Sequence, residues 1–154
     1  MEKREILPEE LWNDDKKNKI NQFVKNHSKD ATKERKLRNK LLAIQYQIED
    51  YIEDNETKED EVIELLDFVK MYLKALNITK KELAKYFGML DSNLHKYLTG
   101  KRKLSPEIVL KISSFSRTKP EYWYRIQTKN ELIKLKKEDI KKYDKYDYEG
   151  LVTI

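Results

Sequence analysis

Ser92, His95, Lys96 and Thr99 fall at steps of three, one and three residues, so on a helix they share one exposed stripe, with Asn93 at its edge. Short polar and basic side chains arranged this way carry the donors and acceptors that match base edges in a DNA major groove. Lys101, Arg102 and Lys103 follow at once, as cations suited to phosphate oxygens. Upstream, Thr79, Lys80 and Lys81 stand where a preceding helix would cross a nucleic-acid backbone. From Thr79 to Leu104 there are seven Lys or Arg against two acids, a local net of +5. The plainer reading of the same stretch is a helical hairpin of a larger core with a solvated basic face.

Two short helices joined by a tight turn must position this stripe. Thr79 and Glu82 have the spacing of a capping box, and Ile78 and Leu83 that of a hydrophobic staple. Leu83, Ala84 and Phe87 mark one buried face, and Gly88 supplies the left-handed stop. Leu94, Tyr97 and Leu98 mark the inner face of the second helix, which stops at Gly100. The small side chain of Ala84 lets the two helices cross closely. Cap, staple, glycine stops, polar stripe and basic loop agree on a helix-turn-helix.

The stretch from Ile78 to Gln127 resembles the Xre/Cro-type helix-turn-helix domains, and among them the HigA-type antitoxins. Three blocks carry the resemblance: ELAKYFG at 82–88, LTGKRKLSPEIVLKIS at 98–113 and KPEYWYRIQ at 119–127. It implies an all-α fold, a five-helix, lambda-repressor-like domain preceded by an N-terminal helical extension. It also implies a homodimer that binds a double-stranded DNA operator, neutralises a protein toxin and represses its own operon. Such toxins are small basic ribonucleases. The alternative is a stand-alone repressor whose extension serves dimerisation or sensing; a third reading is a protein-interaction module that binds no DNA. The sequence departs from the family pattern at three places. Leu90 stands where a capping Ser or Thr is usual, leaving Leu90 or Asp91 as the cap of the second helix. Lys119 replaces a common Ser, and the segment Phe115-Ser116-Arg117 ends a helix without glycine.

Charge divides the chain. Residues 1–76 hold 15 basic and 18 acidic side chains, whereas residues 77–154 hold 18 and 10. A polyanion is therefore expected to meet the second half and avoid the first. Between Glu49 and Asp67 ten acids face a single base, Lys58. This run is either a solvated helix face or a docking surface for a basic protein, with Glu49, Asp50, Glu53, Asp54 and Glu56 as its candidate residues.

Catalysis has no foothold. The two histidines, His27 and His95, are too few for a histidine metal site, and the three glycines are isolated. With no cysteine, disulfides, thiol chemistry and the usual zinc sites are excluded. We expect no enzyme activity, cofactor or metal. No apolar run reaches the length of a membrane span, and the opening MEKREILPEELWNDD lacks the apolar core of a signal peptide. A cytoplasmic location is the expectation.

Periodicity completes the organisation. A first helix is expected over residues 8–27, with Pro8 near its start and Trp12, Ile20, Phe23 and Val24 as apolar contacts. A break follows at Ser28-Lys29-Asp30, then a helix from about Thr32 to Ile52 with Leu37, Leu41, Ile44, Ile48 and Ile52 on one face. Thr57 is the expected cap of the next helix, whose Val62, Leu65, Leu66, Val69, Leu73 and Leu76 keep helical period. Ser105-Pro106 starts another. A last helix is expected from Pro120 toward Lys137, its Tyr122, Trp123 and Tyr124 forming core or dimer interface. The expected organisation is an extension over 1–56, a helix-turn-helix domain over 57–137 and a charged, Tyr-rich tail over 138–154. Either the tail is disordered or its last four residues add a strand.

Overall fold

The computed structural model describes residues 14–152, and all of the regular structure among them is helical. Seven α-helices follow one another: α1 Asp14–Glu53, α2 Leu65–Leu76, α3 Lys80–Tyr86, α4 Asp91–Leu98, α5 Pro106–Ser116, α6 Pro120–Lys134 and α7 Lys137–Lys141. The five helices α2 to α6 form the expected all-α, five-helix domain.

Helix α1 runs unbroken through Ser28-Lys29-Asp30, where an interruption was expected. Neither Pro nor Gly occurs within it, and Thr32 Oγ1 donates back to the Ser28 carbonyl at 2.6 Å. That bond commits the side chain best placed to cap a new helix to the turn before it. The chain divides into two compact units between Lys40 and Leu41, within α1. In the first unit, Ile20, Phe23 and Val24, expected as packing residues, are instead exposed. Pro8 and Trp12 lie outside the described residues.

The second unit begins with the last turns of α1, which supply Ile44, Ile48, Tyr51 and Ile52 to the core. The extension expected to reach residue 56 thus ends in residues buried with the helix-turn-helix. The core continues through Leu65, Phe68, Val69, Tyr72 and Leu73 of α2, Leu83 and Ala84 of α3, and Leu94 and Leu98 of α4. Phe87 and Leu104 between the helices, Ile108, Val109 and Ile112 of α5, and Trp123 and Ile126 of α6 complete it. Trp123 is fully buried, as core.

Between α1 and α2 the chain does not follow the expected cap at Thr57. The Glu56 N–H donates to Asp54 Oδ1 at 2.9 Å, and Glu59–Glu61 makes a single 3-10 turn. Three consecutive carboxylates cannot face a core, so the helix waits until Leu65. Its start is held by the Glu64 N–H donating to Asp67 Oδ2 at 2.9 Å. Ile63 is pinned from both sides. Its N–H donates to the Tyr51 hydroxyl at 3.2 Å, and its carbonyl accepts from Asn130 Nδ2 at 2.8 Å. The Tyr51 hydroxyl in turn donates to Asn130 Oδ1, closing a buried clasp among α1, the loop and α6.

Three helices end in the same way. After α2, α3 and α5 a left-handed residue lets the chain turn back: Asn77, Gly88 and Arg117, with φ of 55°, 71° and 55°. The following N–H groups of Ile78, Met89 and Thr118 then reach the carbonyls of Leu73, Ala84 and Ser113 at 3.0, 3.0 and 3.1 Å, as in Schellman motifs. Arg117 therefore fills the place of the missing glycine. Below it, Trp123 Nε1 donates to Thr118 Oγ1 at 2.8 Å. Thr118 Oγ1 lies 2.7 Å from Ser116 Oγ, which donates to the Ile112 carbonyl at 2.7 Å. Each hydroxyl in this buried chain has a partner. Beyond α6, the described part of the tail is α7 and two 3-10 turns, exposed throughout. Leu151 and Val152 form no strand.

Candidate nucleic-acid interface

The helix-turn-helix is built by α3 and α4. Thr79 caps α3, its Oγ1 accepting from the Glu82 N–H at 3.1 Å. Leu90 precedes α4 as its N-cap without a side-chain bond, so Asp91 is the first helical residue. Of the two caps considered, the position is Leu90, and backbone geometry alone makes it. Buried Leu94 and Leu98 fix which face of α4 looks inward.

The opposite face carries the stripe. Ser92 and Lys96 are exposed, while Asn93, His95 and Thr99 are half-buried. Thr99 Oγ1 donates to the His95 carbonyl at 2.8 Å, so its hydroxyl proton is engaged in its own helix and its oxygen is left to accept. His95 is tied across the turn: Lys80 Nζ lies 2.7 Å from His95 Nδ1 and 3.7 Å from Asp91 Oδ1. Lys80 is thus half-buried between the helices rather than free for phosphate, whereas Thr79 and Lys81 are exposed. The three cations of the loop, Lys101, Arg102 and Lys103, are all exposed. Gly100, at φ 79°, makes the turn that releases them from α4. The loop is held by the Arg102 N–H donating to the Lys96 carbonyl at 3.1 Å. The Arg102 guanidinium stacks 5.0 Å above the Tyr97 ring, which orients it without neutralising it.

The structure therefore joins the stripe to the start of α3 through Lys80 and His95, and to the loop through the Arg102 N–H and the Lys96 carbonyl. Two features escape a reading of the sequence. The Lys80–His95 contact depends on how α3 and α4 cross, and nothing in the spacing of 15 residues announces it. Exposed Lys85 on α3 also belongs to the basic surroundings, and its charge alone was the available signal.

The candidate acidic surface lies at the end of α1 and just beyond. Asp50, Glu53, Asp54 and Glu56 are exposed. Glu49 is half-buried, its Oε1 accepting from the Tyr122 hydroxyl at 2.7 Å. That bond holds the Glu49 carboxyl below the usual carboxylate range and pushes the Tyr122 phenol up. Lys129 Nζ donates to the carbonyls of Asp54 and Tyr51, and desolvation lowers its pKa. Among the described residues, no group of His, Cys, Asp or Glu has the arrangement of a metal site, and no helix is long and apolar enough to cross a membrane.

Comparison with known proteins agrees with this geometry. Residues 69–123, from within α2 to the start of α6, match the family described as Helix-turn-helix. The chain is also similar to an uncharacterized HTH-type transcriptional regulator, YddM, of Escherichia coli (strain K12). Identity is 31% over 61 residues, covering 40% of this chain and 65% of that protein. No solved structure matches significantly. The chain therefore contains a helix-turn-helix domain.

Proposed function

We propose that this chain is a DNA-binding transcriptional regulator that acts as the antitoxin of a type II toxin–antitoxin module, binding its operator as a homodimer. The observation that carries the reading is the α4 stripe of Ser92, Asn93, His95, Lys96 and Thr99 beside the exposed cations of the following loop. A helix-turn-helix lays its second helix in the major groove, with phosphates held at the flanks. One copy reads too few base pairs for specificity, so the operator is a near-palindrome with half-sites about 34–36 Å apart. Bound there, the protein represses its own operon.

The antitoxin half of the reading is supported by the resemblance at residues 78–127 and by the exposed carboxylates Asp50, Glu53, Asp54 and Glu56. These offer a basic ribonuclease a surface of opposite sign, which speeds encounter and makes it sensitive to salt. Glu49 contributes less, because Tyr122 already engages it. A band-shift assay with the DNA upstream of the gene tests the first half. Co-expression with the adjacent reading frame, scored by growth, tests the second. Specific retardation without rescue leaves a stand-alone repressor; absence of retardation at low salt overturns both.

A further inference from the structure

The net charge of the first half of the chain conceals two opposite blocks. Residues 16–40 hold ten Lys or Arg against Asp30 and Glu34, a net of +8, and the acids that outweigh them all lie elsewhere. Within that block Lys25, Lys29, Lys33, Lys36 and Lys40 follow at steps of four, four, three and four. At 3.6 residues per turn they span about 80° of one face of α1, with Asp30, three residues before Lys33, about 60° beyond its edge and Glu34 about 100° beyond. All five lysines are exposed, and none has a salt-bridge partner among the described residues. Like charges at these spacings oppose helix formation. The stripe therefore weakens the helix that carries it, unless a polyanion neutralises it.

We propose that this lysine stripe is a second nucleic-acid contact, docking along the phosphate backbone of double-stranded DNA without reading bases. A rise of 1.5 Å per residue sets lysines four apart at about 6 Å, a ladder of point charges matching the dense phosphate charge of a duplex. No large apolar side chain interrupts the stripe between Lys25 and Lys40, so its face has nothing to offer an apolar partner. The other occupant of suitable sign is the acidic run of a second copy. That run is partly committed within its own fold, since Glu49 accepts from Tyr122, Glu64 pairs with Lys134 at 2.7 Å and Asp67 caps α2. DNA is the better match. The proposal stands on the stripe itself and does not require the reading of α4.

The test uses the full chain with Lys25, Lys29, Lys33 and Lys36 all changed to Gln, and separately to Arg. Binding to a fluorescein-labelled duplex of arbitrary sequence is followed by anisotropy across a salt series. The Gln variant is expected to lose affinity, with the slope of log K against log salt shallower by about 0.9 for each phosphate no longer neutralised. The Arg variant is expected to keep the slope, and circular dichroism of the Gln variant to show undiminished helix. An unchanged slope in the Gln variant overturns the proposal. So does an unchanged slope accompanied by loss of a dimer in sedimentation, which assigns the stripe to a second copy. Neutralising Lys101, Arg102 and Lys103 in parallel separates the two readings. A slope that falls only there sinks the lysine stripe and keeps the helix-turn-helix, and the reverse sinks the helix-turn-helix contact alone.

Discussion

Lys80 Nζ approaches His95 Nδ1 to 2.7 Å, and this contact decides which hydrogen the imidazole carries. An ammonium group can only donate. Nδ1 therefore accepts in this contact, which leaves Nε2 to carry the ring hydrogen. The remaining ring nitrogen is a donor.

His95 is accordingly expected to prefer a base presenting an acceptor to the major groove, such as guanine O6 or N7. Removing it as His95→Ala should relax preference at one position of each half-site, by about 1–3 kcal/mol if the contact is a good one. Lys80→Met frees the ring to adopt either tautomer. It should weaken the same discrimination while leaving affinity for arbitrary duplex less affected than removal of a loop cation does. Binding titrations against single-base operator variants read both effects. A Lys80→Met protein that loses affinity evenly across all variants would assign Lys80 to phosphate instead.

Tyr72 gives a prediction about stability. The side chain is buried, between Phe115 and Trp123, and its hydroxyl has no hydrogen-bond partner among the described residues. Burial pushes the phenol up to about 12 from its ordinary 10.0. Between these two values the unfolded chain releases the proton while the folded chain keeps it. Stability from this group is therefore intact below pH 10 and falls as pH rises toward 12. Tyr72→Phe removes both the orphan hydroxyl and the titration. We expect it to be more stable by about 1 kcal/mol at neutral pH, with a flatter alkaline limb in urea denaturation at several pH values. A destabilised Tyr72→Phe protein would mean that the hydroxyl is satisfied in solution.

Arg117 holds a left-handed conformation that favours glycine. Its side chain is exposed, so little packing is sacrificed when it is removed. Arg117→Gly should raise stability by about 1 kcal/mol, the order of the cost of the left-handed region for a residue with a Cβ. Thermal denaturation reads this directly. A fall in midpoint would locate an unrecognised role for the guanidinium.

The division of the chain predicts two different truncations. Removing residues 1–40 leaves the core residues of the second unit untouched, and the remainder should fold. Removing residues 1–56 strips Ile44, Ile48, Tyr51 and Ile52 from the core. At about 1.5–3 kcal/mol for each buried apolar side chain, that loss rivals the whole stability of a small domain, about 5–15 kcal/mol. Circular dichroism melts of the two fragments separate the cases. A cooperative melt for residues 57–154 would show that α1 is dispensable to the core.

What was legible in the sequence was local. Thr79, Ser105-Pro106, Gly88 and Gly100 signal their caps and stops because the bonds involved span only a few residues. Helical period identified Ile44, Ile48 and Ile52 as one face for the same reason. The break expected at Ser28-Lys29-Asp30 did not occur, because polar residues permit a helix end without enforcing one. Thr57 was a plausible cap on its own chemistry, but Tyr51 and Asn130 hold Ile63 from far along the chain and delay the helix to Leu65. The orientation of His95 was likewise beyond reach, since it depends on a lysine across the turn. At the candidate site, residue types were readable and their mutual restraints were not.

The clasp between Tyr51 and Asn130 joins residues 79 positions apart, and that separation has a consequence during synthesis. At about 5–20 residues per second, Tyr51 leaves the peptidyl-transferase centre roughly 4–16 s before its partner is made. Throughout that interval the inner face of α1 has no α6 to close on, and α4 is complete before the scaffold that steadies it. A chain ended before Asn130 would thus carry the whole helix-turn-helix motif but lack the residue that latches α6 to α1.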